Sequence, residues 1–154
     1  MADIRIARFP EDLQAVQSIF REYIASASVS LEFQDYEAEF SSLPGKYAPP
    51  EGQLLLAWQH ERVVGCAALR KVDFSTCEMK RVYIRPDGRG AGLGRQLVLR
   101  ILEAARSAGY SRTCLDVLPE FKAATHIYES VGFTPSPPVT FNPVSGTQFL
   151  GLDL

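Results

Sequence analysis

No run of the 154-residue chain approaches the roughly 20 consecutive apolar residues of a membrane-spanning helix. The opening stretch, with Asp3, Ile4, Arg5 and Ile6, alternates charged and apolar residues and carries no apolar signal-peptide core. Both absences point to a cytoplasmic protein that does not enter a membrane. Histidine is scarce: His60 and His126 leave a zinc site few ligands, and no metal is expected. The cysteines, Cys66, Cys77 and Cys114, are odd in number, form no CxxC pair and lie in apolar runs, so reduced, strand-buried thiols are expected. The net charge of −2 gives no basic field for nucleic acid, so any anion site must be local.

What remains is ordinary globular material, with 46% hydrophobic and 22% charged residues. The length suits one domain, residues 1–154, with a real core. The pattern predicts a strand over Asp3 to Arg8, then a helix opening at Pro10-Glu11-Asp12. In that helix Leu13, Val16, Ile19, Phe20 and Tyr23 recur at helical spacing. A short helix is expected over Phe33 to Ser41. A hairpin follows from Leu54 to Trp58 and Val63 to Leu69, then a strand over Thr76 to Arg85. After a glycine-rich turn comes a long helix with Leu93, Leu97, Ile101 and Ala105 on one face, stopped by Gly109. A strand over Arg112 to Leu118, a helix over Lys122 to Val131, and strands at Val139-Thr140 and Thr147 to Leu152 complete the chain. This order predicts a mixed α/β (α+β) fold with a parallel crossover between Thr76 and Leu118.

The glycine-rich turn, Arg89-Gly90-Ala91-Gly92-Leu93-Gly94-Arg95, is the strongest local signal. The first N–H groups of a helix lack helical partners and carry partial positive charge. Glycines remove the side chains that would hold a diphosphate away from them. A P-loop would need Gly-Lys-Ser/Thr, but Gly94 is followed by Arg95-Gln96. A dinucleotide fingerprint begins at Gly90 and Gly92 but meets Arg95 where a third glycine belongs. Asp116 lies at a suitable distance for a ribose contact, yet too little chain remains for a full dinucleotide fold.

Arg89-x-x-Gly92-x-Gly94 resembles the [Q/R]-x-x-G-x-[G/A] signature of the GNAT N-acetyltransferase superfamily. Glu78 to Pro86 resembles the strand preceding that signature, and Tyr128-Glu129-Ser130-Val131-Gly132-Phe133 resembles the family's Y-x-x-x-G-F element. The likeness covers Val63 to Phe133. It implies a mostly antiparallel sheet with one splayed parallel strand pair, flanked by about four helices. It also implies acetyl-CoA as cosubstrate, with pantetheine along the backbone of Val82, Tyr83 and Ile84. The pyrophosphate would lie on the N–H groups of Arg89, Gly90, Ala91, Gly92, Leu93, Gly94 and Arg95. One departure stands out: Phe121 occupies the place, seven before the tyrosine, where many members carry asparagine.

Acyl transfer to an amine needs a proton acceptor, because a lysine-like ammonium has a pKa of about 10.4 and no lone pair. It also needs a donor for the oxyanion and a proton for the departing thiolate. Glu78 is the candidate base, directly or through water. Period-two alternation puts it on one face with Lys80 and Val82, and Cys77 on the other. A solvent-facing strand residue paired with Lys80 or an arginine is the plainer reading of the same glutamate. Tyr128 is the candidate acid; otherwise it is a core tyrosine. No histidine neighbours Cys77 to activate it, so direct transfer in a ternary complex is expected.

The acceptor is expected across the opening, near the acidic and aromatic segment Glu32 to Phe40 and the loop from Phe141 to Thr147. That segment reads more simply as an amphipathic helix with a wet face. Its amine, small molecule or peptide, is not named by the sequence. Homodimerisation through the sheet edge or the last strands stays open. The rival functions are a non-catalytic acyl-CoA-binding module and a nucleotide-binding oxidoreductase domain.

Overall fold

A computed structural model describes residues 2–154. Its centre is a seven-stranded sheet of β1 (Asp3–Ile6), β2 (Gln53–Gln59), β3 (Arg62–Lys71), β4 (Thr76–Ile84), β5 (Arg112–Val117), β6 (Thr134–Pro135) and β7 (Gln148–Asp153). The spatial order is β1-β2-β3-β4-β5-β7-β6, and only β4 and β5 run parallel. The helices are α1 (Leu13–Ser26), α2 (Tyr36–Ser41), α3 (Leu93–Ser107) and α4 (Lys122–Ser130). Among the described residues no helix is long and apolar enough to cross a membrane.

Strand alternation divides the core into two layers. On one face, Leu55, Ala67, Leu69, Cys77, Met79 and Leu115 pack beneath α3 and α4, meeting Leu97, Ile101 and Tyr128. On the other, Leu54, Leu56, Cys66, Ala68 and Tyr83 pack beneath α1 and α2, meeting Val16, Ile19, Phe20 and Phe40. The helical spacings read from the sequence therefore mark the buried stripes of α1 and α3. Burial of such apolar surface, at roughly 25 cal/mol per Å², is what holds these helices to the sheet.

Two expectations need correction. The segment expected as one helix from Phe33 is a 3-10 turn, Glu32–Gln34, followed by α2; Asp35 breaks it in a left-handed conformation at φ 52°. The penultimate strand is Thr134–Pro135, not Val139-Thr140. Ser136 N–H still donates to Phe149 O, but Pro137 and Pro138 have no N–H to extend the ladder.

Candidate active site

The site begins where two strands part. β4 and β5 pair at Thr76 with Arg112, Cys77 with Thr113 and Glu78 with Cys114, and no further. Beyond Glu78 the strands diverge into an opening. A bulge bends β4 in this region: Ala68 faces Lys80, Cys66 faces Tyr83, and Arg81 takes a φ of 59°. The extra residue reverses the alternation. Glu78 lies opposite Arg70, and Lys80 opposite Ala68, on the α1 side. Past the bulge, Val82 and Ile84 pack into the α3 layer while Tyr83 packs into the α1 layer. The expectation that Val82 shares a face with Glu78 and Lys80 is thus corrected, because alternation cannot cross a bulge.

A cavity of about 740 Å³ runs through the opening from one face of the sheet to the other. The cradle is one end. Gly90 (φ 91°) and Gly92 (φ 76°) adopt left-handed backbone that glycine alone enters freely. Gly94 has ordinary backbone, but a Cβ there would stand 3.0 Å from Ile127 Cδ1 of α4, so its lack of a side chain lets α4 close in. The N–H groups of Gly90, Ala91, Gly92, Leu93, Gly94 and Arg95 meet no protein acceptor among the described residues; the first helical bond is Gln96 N–H to Gly92 O, 3.1 Å. Arg89 Nε donates to Ile84 O (2.9 Å), and Arg95 donates to Ser130 Oγ (2.8 Å). Both arginines are exposed beside the turn.

The strand wall is Met79, Lys80, Arg81, Val82, Tyr83 and Ile84. On this side β4 has lost its parallel partner. The backbone edge facing the opening is therefore free to pair with an extended chain of amides, as a strand edge does with a peptide.

Tyr128 reaches the cavity from α4 and is otherwise buried, with its ring edge-on to Phe133 at 5.7 Å. Burial, with Tyr23 and Asp116 adding to it, pushes its phenol far above the ordinary value of 10.0, so it stays protonated. Glu78 stands elsewhere. It is fully buried at the last paired position of β4, and it does not line the cavity. Arg70 Nε donates to its Oε1 at 2.7 Å, while Oε2 has no protein partner. The structure therefore sets Tyr128 and the cradle on one cavity and leaves Glu78 behind its apex.

The three thiols are buried and free. Burial pushes Cys66 up to about 12 and Cys77 to about 11, and no cysteine lines the cavity. Cys77 lies in the α3 layer, on the opposite face from Glu78, as alternation requires.

The family model for the Acetyltransferase (GNAT) family matches residues 14–133, well over half of the chain. An N-acetyltransferase of Schizosaccharomyces pombe is 33% identical over 153 residues, covering 98% of this chain and 94% of its own. The chain belongs to the GNAT acetyltransferase family. It is an acyl-CoA-dependent acetyltransferase of that family. Two solved GNAT-fold structures agree in architecture. An acetyltransferase from Streptococcus agalactiae superposes with a TM-score of 0.81 at 24% identity, covering 99% of this chain and 98% of that one. The Salmonella typhimurium acetyltransferase yncA, solved with acetyl-CoA, gives 0.74 at 22% identity over 99% and 93%.

The structure of this GNAT enzyme adds residues at the far end of the cavity that sequence reading missed as a group. Tyr23, Gln34, Lys80, Arg81 and Asp116 line it together. Arg81 is engaged by the protein: it donates to both carboxylate oxygens of Glu39 and to Gln34, and lies 5.8 Å over the Tyr23 ring. Asp116 accepts from Asn142 Nδ2 at 2.8 Å, which brings the expected C-terminal loop to the site. Phe121, in place of asparagine, packs its ring 6.1 Å from Tyr23. Nothing in the sequence marks the bulge that puts Lys80 and Arg81 side by side on one wall.

Proposed function

We propose that this enzyme transfers an acetyl group from acetyl-CoA to a primary amine, by direct attack with both substrates bound. The observation that carries the reading is the cradle: consecutive unpartnered N–H groups from Gly90 to Arg95, at one end of a cavity that passes between parted strands. Such a run of amides at a helix start suits a diphosphate. The free edge of Val82, Tyr83 and Ile84 suits an extended diamide arm. The chain's residues thus fit coenzyme A, and Arg89 and Arg95 supply local positive charge. The acetyl thioester supplies the activated acyl group.

Direct transfer is supported by the placement of the thiols. No cysteine lines the cavity, and burial holds Cys77 in its unreactive thiol form. Tyr128 serves as the acid. It lines the cavity from α4, where its hydroxyl can hydrogen-bond the departing sulfur and pass it a proton. Glu78 serves as the base through water rather than by contact. Its Oε1 is held by Arg70, and its buried Oε2 lacks a partner, which a bridging water would satisfy.

Calorimetric titration with acetyl-CoA, with NAD and ATP as controls, tests the cradle. Acetyl-CoA binding alone is the expected result. Turnover is then read by free-thiol release on an amine panel. A folded sample that does not bind acetyl-CoA would remove the basis of the reading. Acetyl retained on the protein after coenzyme A leaves would rule out direct transfer.

A further inference from the structure

The acceptor end of the cavity carries more charge than a bare amine needs. Arg81 is neutralised by Glu39, and Glu39 also accepts from Lys46 at 3.0 Å. Glu37, the other carboxylate of α2, is paired with Arg21. Both carboxylates of α2 are therefore spent on protein partners, while Glu32 and Asp35 are exposed and do not line the cavity. Two acids line the cavity itself: Asp116, which accepts from Asn142, and Glu120, which accepts from the N–H and hydroxyl of Ser28.

Lys80 is different. It lines the cavity, is partly buried, and forms no ion pair or hydrogen bond among the described residues. Glu78, two residues before it on the same face, is turned to Arg70 instead. A half-buried ammonium with no partner is costly, and one standing beside the acceptor repels a second ammonium.

We propose that Lys80 is the acceptor's anion subsite, and that the acceptor is a small amine carrying its own oxyanion group. The amine lies toward Asp116, and the oxyanion completes Lys80. This rests on the acetyltransferase reading of the same cavity and adds the acceptor's chemical class to it. Burial lowers the Lys80 pKa, with Arg81 acting the same way and Glu78 and Asp116 opposing them; an arriving oxyanion would restore the charged form. Polycationic acceptors such as polyamines and aminoglycosides are disfavoured by the same charge.

The test is steady-state kinetics of the full chain on acceptors matched except for charge. The carboxylate arm uses the common α-amino acids against their amides. The phosphoryl arm uses 2-aminoethylphosphonate against ethanolamine. Spermidine and kanamycin serve as polycations. An oxyanion acceptor is expected to exceed its neutral counterpart by about tenfold or more in kcat/KM, the size of one charge-assisted hydrogen bond. The arm that wins identifies the oxyanion. Lys80→Met should erase that preference mainly through KM, and Lys80→Arg should keep part of it. Preference of the wild type for amides or polycations, or turnover of no oxyanion amine, would overturn the proposal. So would a Lys80→Met enzyme that slows all acceptors alike, which would mark Lys80 as a proton carrier. Acetyl-CoA titration of each protein runs in parallel. Its failure in the wild type would strike the acetyltransferase reading itself; intact acetyl-CoA binding without the acceptor preference strikes only the role of Lys80.

Discussion

Arg81 donates to Glu39 through both Nε (3.0 Å) and Nη2 (3.1 Å), so one bidentate pair fastens α2 to the bulge of β4. Side-chain exposure is 1% for the arginine and 7% for the glutamate. The pair therefore does more than decorate the surface: it holds α2 against the strand that opens the cavity. Removing one partner leaves a buried charge alone, which costs about 3–5 kcal/mol. Glu39→Gln should lower the unfolding free energy, read from urea titration, by an amount in that range. A loss under about 1 kcal/mol would mean that the bulge is held by packing alone.

Acid should undo the same contact. Burial pushes the Glu39 carboxyl up, but the hydrogen bonds and charge of Arg81, with Lys46, outweigh it and bring the pKa below 4.5. A lowered folded-state pKa means that the unfolded chain binds the proton more readily. The contribution is thus complete above the unfolded value of 4.5 and is lost as pH falls through the lower folded value. The stability gap between wild type and Glu39→Gln should narrow on going from pH 7 to pH 3. A gap independent of pH would show that the carboxylate's charge is not what stabilises.

Lys80 should behave oppositely. Its folded-state pKa lies below 10.5, chiefly through burial. The folded protein then binds the proton less readily than the unfolded chain, so the charged side chain costs stability at neutral pH and the cost fades as pH rises. Lys80→Met should raise the melting temperature at pH 7 or leave it unchanged. A clear loss of stability would reveal a partner that the structure does not contain.

Tyr128→Phe should leave acetyl-CoA affinity nearly unchanged while kcat falls by roughly 100-fold, the low end for loss of a general acid. Calorimetry and thiol release measured on the same variant separate the two. Equal loss of both would recast the tyrosine as a packing residue beside Phe133.

Gly92→Ala should weaken acetyl-CoA binding with a smaller effect on kcat. The backbone at φ 76° penalises any Cβ by about 1–2 kcal/mol, although the space around it is open. The turn would relax by rotating its N–H groups away from the anion. Unchanged affinity in a folded variant would mean that the phosphates are held by Arg89 and Arg95.

The cradle was legible because it is contiguous. Glycines, flanking arginines and the start of an amphipathic helix lie within seven residues, and a helix start presents its N–H groups whatever surrounds it. The layers of the core were legible for a similar reason: the periods of helix and strand sort residues by face. The relative placement of Glu78 and Val82 was not, since one extra residue in β4 reverses the alternation and Arg81 is no glycine to announce it. Nor could the chain's local pattern reveal that Arg70, across the hairpin, would take the Glu78 oxygen, leaving Lys80 without a partner.

Sequence by itself determined the family, the order of elements, the glycine-rich turn before α3 and the tyrosine on α4, because each is written in neighbouring residues or in a short period. Tertiary structure decided where the parallel strands part, which charges neutralise one another and which is left facing the cavity. Those outcomes depend on ladder register and on side chains meeting from distant positions, as Arg81 meets Glu39 and Asn142 meets Asp116, and no local rule specifies such encounters.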